Sequence, residues 1–300
     1  MREHLVLING PLKRDFLLGK IHYKGQSAGN GTNYTESSET TRGAYVLKNN
    51  LFKYWFIGFL EGKGSLIINK NNELEFKIVH ESKDASVLFY IKKELGFGVV
   101  RPYNKDNHCY KVSNKTHIFN IISILNGNIF FKTKQKEFKA WLEAYNKKYG
   151  TDLTCLKSIN KPELSNSWLS GFSDAVGTFS CLIKDESDYS GLVKLSFTLT
   201  YPGGEENSTD MTYLAELLKG KTHFNNGKYE TTVNTNKLHK IVHYFSINPL
   251  KTNKLIPYLN IKKIYFLIKK NNKNLTSSDV KLINRYKITI DKFNNTSGNK

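Results

Sequence analysis

The pattern of apolar and polar positions becomes regular at Trp55 and restarts at Trp168, which divides the chain into two similar halves. Each half begins with a short apolar helix that ends at a glycine, Gly64 or Gly177, and continues into two strands joined by a polar turn. The second pair is the clearest, because apolar residues alternate with lysine, serine and threonine over residues 193–201. This alternation predicts a strand with one face on a core and the other towards a polar environment.

The same plan continues through the rest of each half. A helix that closes with glycine follows each hairpin, two more strands come next, and a further helix leads to a shared Lys-Thr pair, at Lys132–Thr133 and at Lys251–Thr252. We therefore predict an α+β fold in which one αββαββα unit is used twice. The expected molecule is a monomer with internal pseudo-twofold symmetry.

Changes in composition mark the predicted boundaries. Residues 1–50 contain few large apolar side chains and are rich in Gly, Ser, Thr and Asn, so we expect an extended or disordered leader. The first repeat is predicted over 51–150, a linker over 151–167 and the second repeat over 168–270. Residues 271–300 are predicted to form a C-terminal helix and tail.

Charge is the first indication of function. The chain carries 45 basic and 26 acidic residues, a formal net charge of +19. Such an excess favours a polyanionic partner, because neutralised phosphates release their counterions, whereas solubility alone requires no excess of this size. No apolar run approaches the roughly 20 residues that span a bilayer, so no membrane association is expected. The three cysteines lack metal-ligand spacing and indicate a non-oxidising compartment.

Small residues recur four apart in the first helix of each half. Gly58 and Gly62 share one helix face, and Gly171 and Ala175 share the equivalent face. Small residues at this spacing let two backbones approach closely. We therefore expect these two helices to form a tight central contact between the repeats.

These residues resemble the LAGLIDADG homing endonucleases and maturases, in the two-repeat, single-chain, mitochondrial intron-encoded form. The segments FIGFLEGKG and LSGFSDAVG are similar to the nine-residue motif that names the family, and the resemblance covers about 51–290. It implies a saddle of two four-stranded antiparallel sheets whose concave faces bind nucleic acid, with the two motif helices as the central seam. The seam residues implied are Gly58, Gly62, Gly64, Gly171, Ala175 and Gly177.

In the family, an acidic residue just before the last motif glycine of each helix holds the divalent metal ions that cut DNA. Here those positions are occupied by Lys63 and Val176. Glu61 and Asp174 lie two residues earlier, about 200° around the helix, and are expected to point away from the seam. The family's basic residue near the scissile phosphate resembles Lys262, and Glu143 stands at the corresponding position of the first half.

The resemblance and these departures together imply a catalytically inactive, endonuclease-derived protein. The favoured partner is structured RNA rather than DNA, in the mitochondrial matrix, with a role as a maturase-like splicing factor or as a scaffold in a ribonucleoprotein such as the mitochondrial ribosome. Splicing or ribosomal proteins are the candidate protein partners. No metal and no cofactor are expected. The alternatives are an active DNA endonuclease with an atypical metal site, which would need Mg²⁺, and a decaying reading frame.

Phosphate contacts are expected from basic residues on the polar strand faces and at the end of the second repeat. Each of them is also an ordinary surface residue when taken alone. The candidates are Lys70, Lys77, Arg101, Lys111, Lys184, Lys194, Lys221, Lys228 and Lys262.

Overall fold

The computed structural model describes Leu47 and residues 49–158, 161–183, 193–271 and 275–298. Most of the predicted leader and the candidate Lys184 lie outside the described residues. The first described helix begins after Asn49, whose side-chain oxygen accepts a hydrogen bond from the Phe52 amide at 3.1 Å. This bond satisfies one of the amides that a helix start leaves free.

The first repeat contains four helices and four strands among the described residues. In chain order they are α1 (Asn50–Lys63), β1 (Gly64–Ile68), β2 (Leu74–Glu81), α2 (Ser86–Leu95), β3 (Val99–Pro102), β4 (Asn107–Val112), α3 (Lys115–Leu125) and α4 (Lys132–Tyr149).

The second repeat has the same order of elements. They are α5 (Trp168–Val176), β5 (Gly177–Ile183), β6 (Val193–Pro202), α6 (Glu205–Leu218), β7 (Lys221–Asn225), β8 (Lys228–Asn234), α7 (His239–Ile247) and α8 (Leu255–Lys270), and a last helix, α9 (Ser277–Gly298), follows them.

Each repeat forms one four-stranded antiparallel sheet. The strand orders are β1-β2-β4-β3 and β5-β6-β8-β7, so the two sheets have identical topology. The predicted fold class, two pseudo-symmetric α+β repeats, is therefore confirmed. Each repeat has one helix more than the predicted αββαββα unit, because a further helix, α4 or α8, begins at or shortly after the Lys-Thr pair.

Strand β6 shows how the alternation in the sequence becomes burial. Its apolar positions are buried and its lysine, serine and threonine positions are exposed or half-buried along the whole strand. The turn between β7 and β8 places Asn226 at φ 49° and Gly227 at φ 74°. Two consecutive residues in this region are typical of a tight hairpin turn, as the Asn-Asn-Gly sequence predicts.

One predicted helix end differs in detail. Helix α2 is capped by Gly96, with φ 77°, as expected. Helix α6 is capped by Lys219, with φ 57°, rather than by the glycine that follows it. Gly220 is required for another reason, since a Cβ there would stand 2.6 Å from the Thr232 carbonyl oxygen. The glycine thus permits close approach of the neighbouring strand.

The core lies between the helices and one face of each sheet. Phe76 and Tyr110 of the first sheet and Phe197 and Val233 of the second are 0% exposed. Cys109 and Cys181 are buried, free thiols, and burial raises the pKa of Cys181 to about 12. No helix in the described part of the chain is long and apolar enough to cross a membrane.

Candidate functional site

The motif helices α1 and α5 are in direct backbone contact at two glycines. A Cβ atom on Gly58 would stand 2.1 Å from the Trp168 carbonyl oxygen, and one on Gly171 would stand 1.8 Å from the Trp55 carbonyl oxygen. Neither distance leaves room for a methyl group. Glycine at both positions is therefore what allows the two helices to meet, and the two contacts are equivalent under the pseudo-twofold relation.

Small residues extend this contact towards the C-terminal ends of the helices. A Cβ on Gly62 would stand 2.4 Å from Cβ of Ala175. Gly64 and Gly177 lie elsewhere, since an added Cβ would first meet the preceding turn of its own helix, at 2.7 Å in both cases. The expectation that these two glycines belong to the seam is thus corrected: they allow the chain to leave each helix directly as a strand.

Glu61 is buried beside the seam, with 2% of its surface exposed. Its carboxylate accepts hydrogen bonds from the Phe130 amide at 3.0 Å, the Phe131 amide at 2.7 Å and the Trp168 indole at 2.9 Å. Burial raises the pKa of Glu61 to about 7, against the opposite effect of these donors. One carboxylate thus ties the start of α4 and the opposite motif helix to α1.

Asp174 does the same in the second repeat. It accepts hydrogen bonds from the amides of Lys251 at 2.8 Å and Thr252 at 3.1 Å, from the Thr252 hydroxyl at 2.5 Å and from the Trp55 indole at 2.8 Å. Burial raises its pKa above the usual value, and the same donors oppose the shift. The segment that leads into α8 is therefore fixed to α5.

These contacts correct the direction that was expected for the two carboxylates. Glu61 and Asp174 were expected to point away from the seam, but each carboxylate reaches the tryptophan of the opposite motif helix. Because all of these donors would lose their buried acceptor, neither carboxylate can turn towards the helix ends without a large loss of stability. Asp174 binds the Lys251–Thr252 pair directly, whereas the Lys132–Thr133 pair follows the two amides that Glu61 binds.

At the C-terminal end of α1 lies Lys63, at the first position where the resemblance implies an acidic residue. Its Nζ atom donates to Nδ1 of His80 at 3.1 Å, and Nε2 of His80 lies 3.0 Å from an Asp84 oxygen. The Asp84 carboxylate also accepts from the amide of Asn253, at 3.1 Å. Burial lowers the pKa of Lys63, while Glu81 and Asp84 oppose that shift.

At the C-terminal end of α5, Lys254 supplies a second cation that sequence reasoning missed. Its Nζ atom donates to the carbonyl oxygens of Ser173 at 3.3 Å and Ala175 at 3.2 Å. A cation is favoured here because the helix end carries partial negative charge. Burial, followed by repulsion from Lys63, lowers the pKa of Lys254 to about 7. Its place two residues after a Lys-Thr pair was the available signal.

A cleft of about 390 Å³ opens at these two helix ends. Its lining combines both lysines with Val176, which has no side-chain lone pair, and with residues of β2, β5 and the segment before α8. The polar side chains of the lining include Lys63, His80, Glu81, Asp84, Thr178 and Lys254.

The donor set of this cleft does not fit a divalent metal ion. Mg²⁺ takes oxygen ligands, and ammonium groups such as those of Lys63 and Lys254 repel it. The Asp84 carboxylate is already shared between His80 and the Asn253 amide. Across the residues that the structure describes, no group of three or more His, Cys, Asp or Glu side chains could hold a metal ion.

On the first sheet, two candidate phosphate-binding lysines share one carboxylate. Lys77 and Lys111 are paired across β2 and β4, and their Nζ atoms lie 2.6 Å and 2.5 Å from Glu75 oxygens. These ion pairs lower the pKa of Glu75. This part of the first sheet therefore carries less net positive charge than its two lysines suggest. Arg101 is exposed on β3, and Lys70 is exposed in the turn after β1.

On the second sheet, the exposed face is polar and its lysines lie towards the edges. Thr178, Thr198, Thr232 and Lys221 form one row across β5, β6, β8 and β7. Hydroxyl groups dominate its centre, and the Thr198 and Thr232 hydroxyl oxygens are 3.1 Å apart. The other exposed cations of this sheet are Lys194 on β6 and Lys228 at the start of β8.

Lys262 lies on α8, where its Nζ atom donates to the Ser246 hydroxyl of α7 at 2.9 Å. It is not among the residues that line the cleft, and Lys254 stands there instead. Glu143 is exposed on α4, 3.9 Å from Lys139. A role for Lys262 at a phosphate therefore stays a prediction.

Comparison with known families and proteins agrees with the duplicated architecture. A family model described as LAGLIDADG endonuclease matches residues 56–145 and 169–265, one match in each repeat. The chain is 49% identical over 299 residues to probable intron-encoded endonuclease 4 of Neurospora crassa, which covers 97% of this chain and 53% of that protein. It is 27% identical over 227 residues to intron-encoded RNA maturase bI4 of Saccharomyces cerevisiae, covering 74% of this chain and 34% of the maturase. The chain thus spans about half the length of the first relative and a third of the second.

Solved structures show the same fold at lower sequence identity. The LAGLIDADG meganuclease I-AabMI, bound to uncleaved DNA, superposes with a TM-score of 0.67 at 22% identity, over 78% of this chain and 97% of that one. The homing endonuclease I-LtrWI, bound to target DNA, gives a TM-score of 0.63 at 22% identity, over 79% and 96%. Both superpositions cover nearly the whole of the smaller structure.

Proposed function

We propose that this chain, which belongs to the LAGLIDADG endonuclease family, binds nucleic acid without cleaving it. One observation carries the proposal. The ends of the motif helices present the ammonium groups of Lys63 and Lys254 and the hydrocarbon side chain of Val176. Phosphodiester hydrolysis by this family needs metal ions that bridge the attacking and leaving oxygens. The two ammonium groups repel such a metal ion, and the Val176 side chain has no atom that could bind it.

The binding surface in this proposal is formed by the exposed strand faces. A net charge of +19 favours association with a phosphate backbone, and the polar rows of both sheets provide hydrogen-bond donors and acceptors. The partner we favour is structured RNA, in mitochondria. Support comes from the intron-encoded relatives, one of which is named an RNA maturase. The role would be that of a maturase-like splicing factor, or of a scaffold that works with ribosomal or splicing proteins.

The first test is cleavage. The purified protein should leave duplex DNA and RNA intact with Mg²⁺ or Mn²⁺, even where it binds, because neither motif helix presents a carboxylate at its C-terminal end. A triple variant, Lys63→Asp, Val176→Glu and Lys254→Gln, should nick bound DNA, since it adds two carboxylates and removes the cation that would pair with them. Gel analysis of a plasmid that contains a bound site measures both outcomes. The matched control is Lys254→Gln alone, which adds no ligand and should remain inactive.

The opposite result is equally informative. Metal-dependent cleavage by the wild-type protein would refute the inactive site and support a DNA endonuclease with an atypical metal site. Glu81 and Asp84 would then be the carboxylates to replace, because both line the cleft.

The second test locates the binding surface. Replacing Lys194 and Lys228 by glutamine should weaken RNA binding at every sequence tested and lower the log–log salt slope by about two, one unit for each phosphate that is no longer neutralised. Fluorescence anisotropy at several salt concentrations provides the slope. Lys93→Gln with Lys147→Gln removes the same charge from exposed positions on α2 and α4, and this control should change the slope little.

Two results would contradict this assignment. An unchanged slope in the strand variant would exclude these faces as the contact, and an equal loss in the helix control would indicate a diffuse charge effect. Preference for RNA is measured separately, by comparing the transcript that surrounds the reading frame with a DNA duplex of the same length at one salt concentration. Tighter binding to the duplex would overturn the preference for RNA.

A further inference from the structure

We infer that helix α8 carries a docking face for a protein partner, and that the segment it binds is an acidic amphipathic helix. The docking face, called the α8 face below, consists of exposed residues spaced alternately three and four apart. They are Ile256, Leu259, Lys263, Phe266 and Lys270. This inference goes beyond the proposed function and does not depend on it.

The spacing of the α8 face is that of a helix–helix seam. Three of its side chains are large and apolar yet exposed to 47% (Ile256), 42% (Leu259) and 51% (Phe266). Positions alternately three and four apart form the stripe that one helix of a coiled coil presents to another. Helix α8 has 16 residues, so the stripe runs over about four turns and can accept a helix of similar length.

Helix α4 is the counterpart of α8 in the first repeat, and its surface is different. Its exposed positions are occupied by lysine, alanine and glutamate, with no large apolar side chain among them. Four of its lysines have a glutamate oxygen within 4.0 Å; they are Lys134, Lys136, Lys139 and Lys148. The repeated fold therefore does not require exposed apolar side chains on this helix, and those of α8 need another explanation.

The α8 face also carries positive charge without carboxylate partners. Helix α8 contains no Asp or Glu. Within the described part of the chain, no Asp or Glu oxygen lies within 4.0 Å of the Nζ atom of Lys263, Lys269 or Lys270. The Nζ atom of Lys263 instead lies 5.2 Å from the centroid of the Tyr286 ring on α9. A partner helix with apolar residues along its seam and carboxylates beside them would match both features.

Spacing and charge favour this occupant over the others. A bilayer surface would have to take in Lys263 and Lys270, which lie within the apolar stripe rather than beside it. Nucleic acid would neutralise these lysines but place phosphates against Leu259 and Phe266. A second copy of α8 would bring lysine against lysine. Residues 1–24 of this chain carry five basic and two acidic residues, so they lack the complementary charge.

The α8 face points away from the proposed nucleic-acid surface. On the buried side of α8, the Tyr258 ring lies 5.7 Å from the Phe179 ring, measured between centroids. Phe179 is on the buried face of β5, whereas Thr178 and Ser180 are on its polar face. Helix α8 thus covers the helix side of the second sheet, and a protein partner leaves the polar rows of the strands accessible.

The first measurement uses the wild-type chain and a fluorescent synthetic peptide. The peptide repeats a heptad with leucine at positions a and d and glutamate at positions e and g. It should bind about tenfold or more tightly than a scrambled peptide of identical composition, because only the heptad order places the leucines on one helix face. Fluorescence anisotropy measures both affinities, and circular dichroism should show helix formation on binding. Equal affinities for the two peptides would overturn the inference.

The apolar contact is tested by substitution of exposed residues, which should leave the fold intact. Phe266→Ser should lower the affinity for the heptad peptide about fivefold or more, and adding Leu259→Ser should lower it further. Phe89→Ser is the matched control, since Phe89 is 53% exposed on α2, and it should leave the affinity unchanged. An equal loss in both phenylalanine variants would contradict the assignment to α8. Thermal melting confirms that each variant is folded.

The charge contact is tested by reversal. Lys263→Glu with Lys270→Glu should weaken binding of the glutamate peptide and strengthen binding of a matched peptide that has lysine in place of glutamate. Lys93→Glu with Lys147→Glu changes the net charge equally at exposed positions on α2 and α4, and this control should keep the preference for glutamate. The same reversal in the control would indicate a diffuse charge effect and refute the α8 face.

Other occupants give different results, and each would overturn the inference. Binding to vesicles of phosphatidylcholine and phosphatidylserine that is lost in Leu259→Ser with Phe266→Ser would identify a membrane contact. A wild-type dimer that this variant dissociates, measured by sedimentation velocity, would identify a second copy. RNA binding that is weakened more by Lys263→Glu with Lys270→Glu than by the Lys93 and Lys147 control would identify a nucleic-acid contact. Absence of RNA binding by the wild-type chain refutes the proposed function and leaves this inference standing.

Discussion

Replacement of Gly171 by leucine is expected to lower the free energy of unfolding by about 3 kcal/mol or more, through overpacking at the contact between the motif helices. The first added carbon would stand 1.8 Å from the Trp55 carbonyl oxygen and 2.9 Å from the Phe59 amide nitrogen. These are backbone atoms, so no rotamer change can relieve the clash, and the helices must separate. Gly58→Leu should have a similar effect, because its added carbon would stand 2.1 Å from the Trp168 carbonyl oxygen. Chemical denaturation followed by circular dichroism measures both changes.

A third glycine provides the matched control. Gly150, at the end of α4, has φ 62° and nothing within 4 Å of an added Cβ, so Gly150→Leu should cost only about 1–2 kcal/mol for a left-handed backbone. The double variant Gly58→Leu with Gly171→Leu should be less destabilised than the sum of the two, since both substitutions open one contact. Unfolding midpoints like that of the parent in both single variants would show that the helices do not meet at these glycines.

The repeated architecture could be predicted because its signals are local. Alternation along β6 requires only neighbouring residues to define the buried face, and the spacing of Gly58 and Gly62 defines a face of one helix. The ion pair between Lys77 and Glu75 could be predicted in the same way, because residues two apart in a strand share a face. An analysis that takes each lysine separately misses this ion pair.

The centre of the site depends on contacts between distant residues. Lys254 reaches the end of α5 because Asp174 binds the Lys251 amide, and these two residues are 77 apart in sequence. Nothing in the periodicity of either segment indicates that pairing. The angle between positions on one helix shows where the two buried carboxylates point relative to that helix, but it gives no information about the tryptophan on the opposite helix.

Packing and chemistry are separable in the motif helices. The glycines and the buried carboxylates hold the two repeats together, whereas Lys63 hydrogen-bonds to His80 of its own repeat and the hydrocarbon side chain of Val176 lies beside Gly62. A substitution at Lys63 or Val176 can therefore change what the cleft binds and leave the fold in place. The same is not true two residues earlier, at Glu61 and Asp174, where the side chains complete the fold.

Asp174→Ala is accordingly expected to lower the free energy of unfolding by about 3–5 kcal/mol, because it leaves two backbone amides, a hydroxyl and an indole without their buried acceptor. Asp174→Asn should fall between this variant and the parent, since one oxygen remains to accept. Asp210→Ala is the matched control: Asp210 accepts a single backbone amide, that of Lys132, at 2.9 Å, and its removal should cost about 1 kcal/mol.

Loss of the Asp174 contacts should also alter the cleft. Once Asp174 no longer holds Lys251 and Thr252, the segment that carries Lys254 loses its attachment to α5. In Asp174→Asn, if it is folded at low temperature, RNA binding should therefore weaken, whereas Asp210→Ala should bind RNA as the parent does. Unfolding curves and anisotropy titrations on the same samples test the link, and a destabilised Asp174→Asn that binds RNA as tightly as the parent would show that Lys254 is positioned by α8 alone.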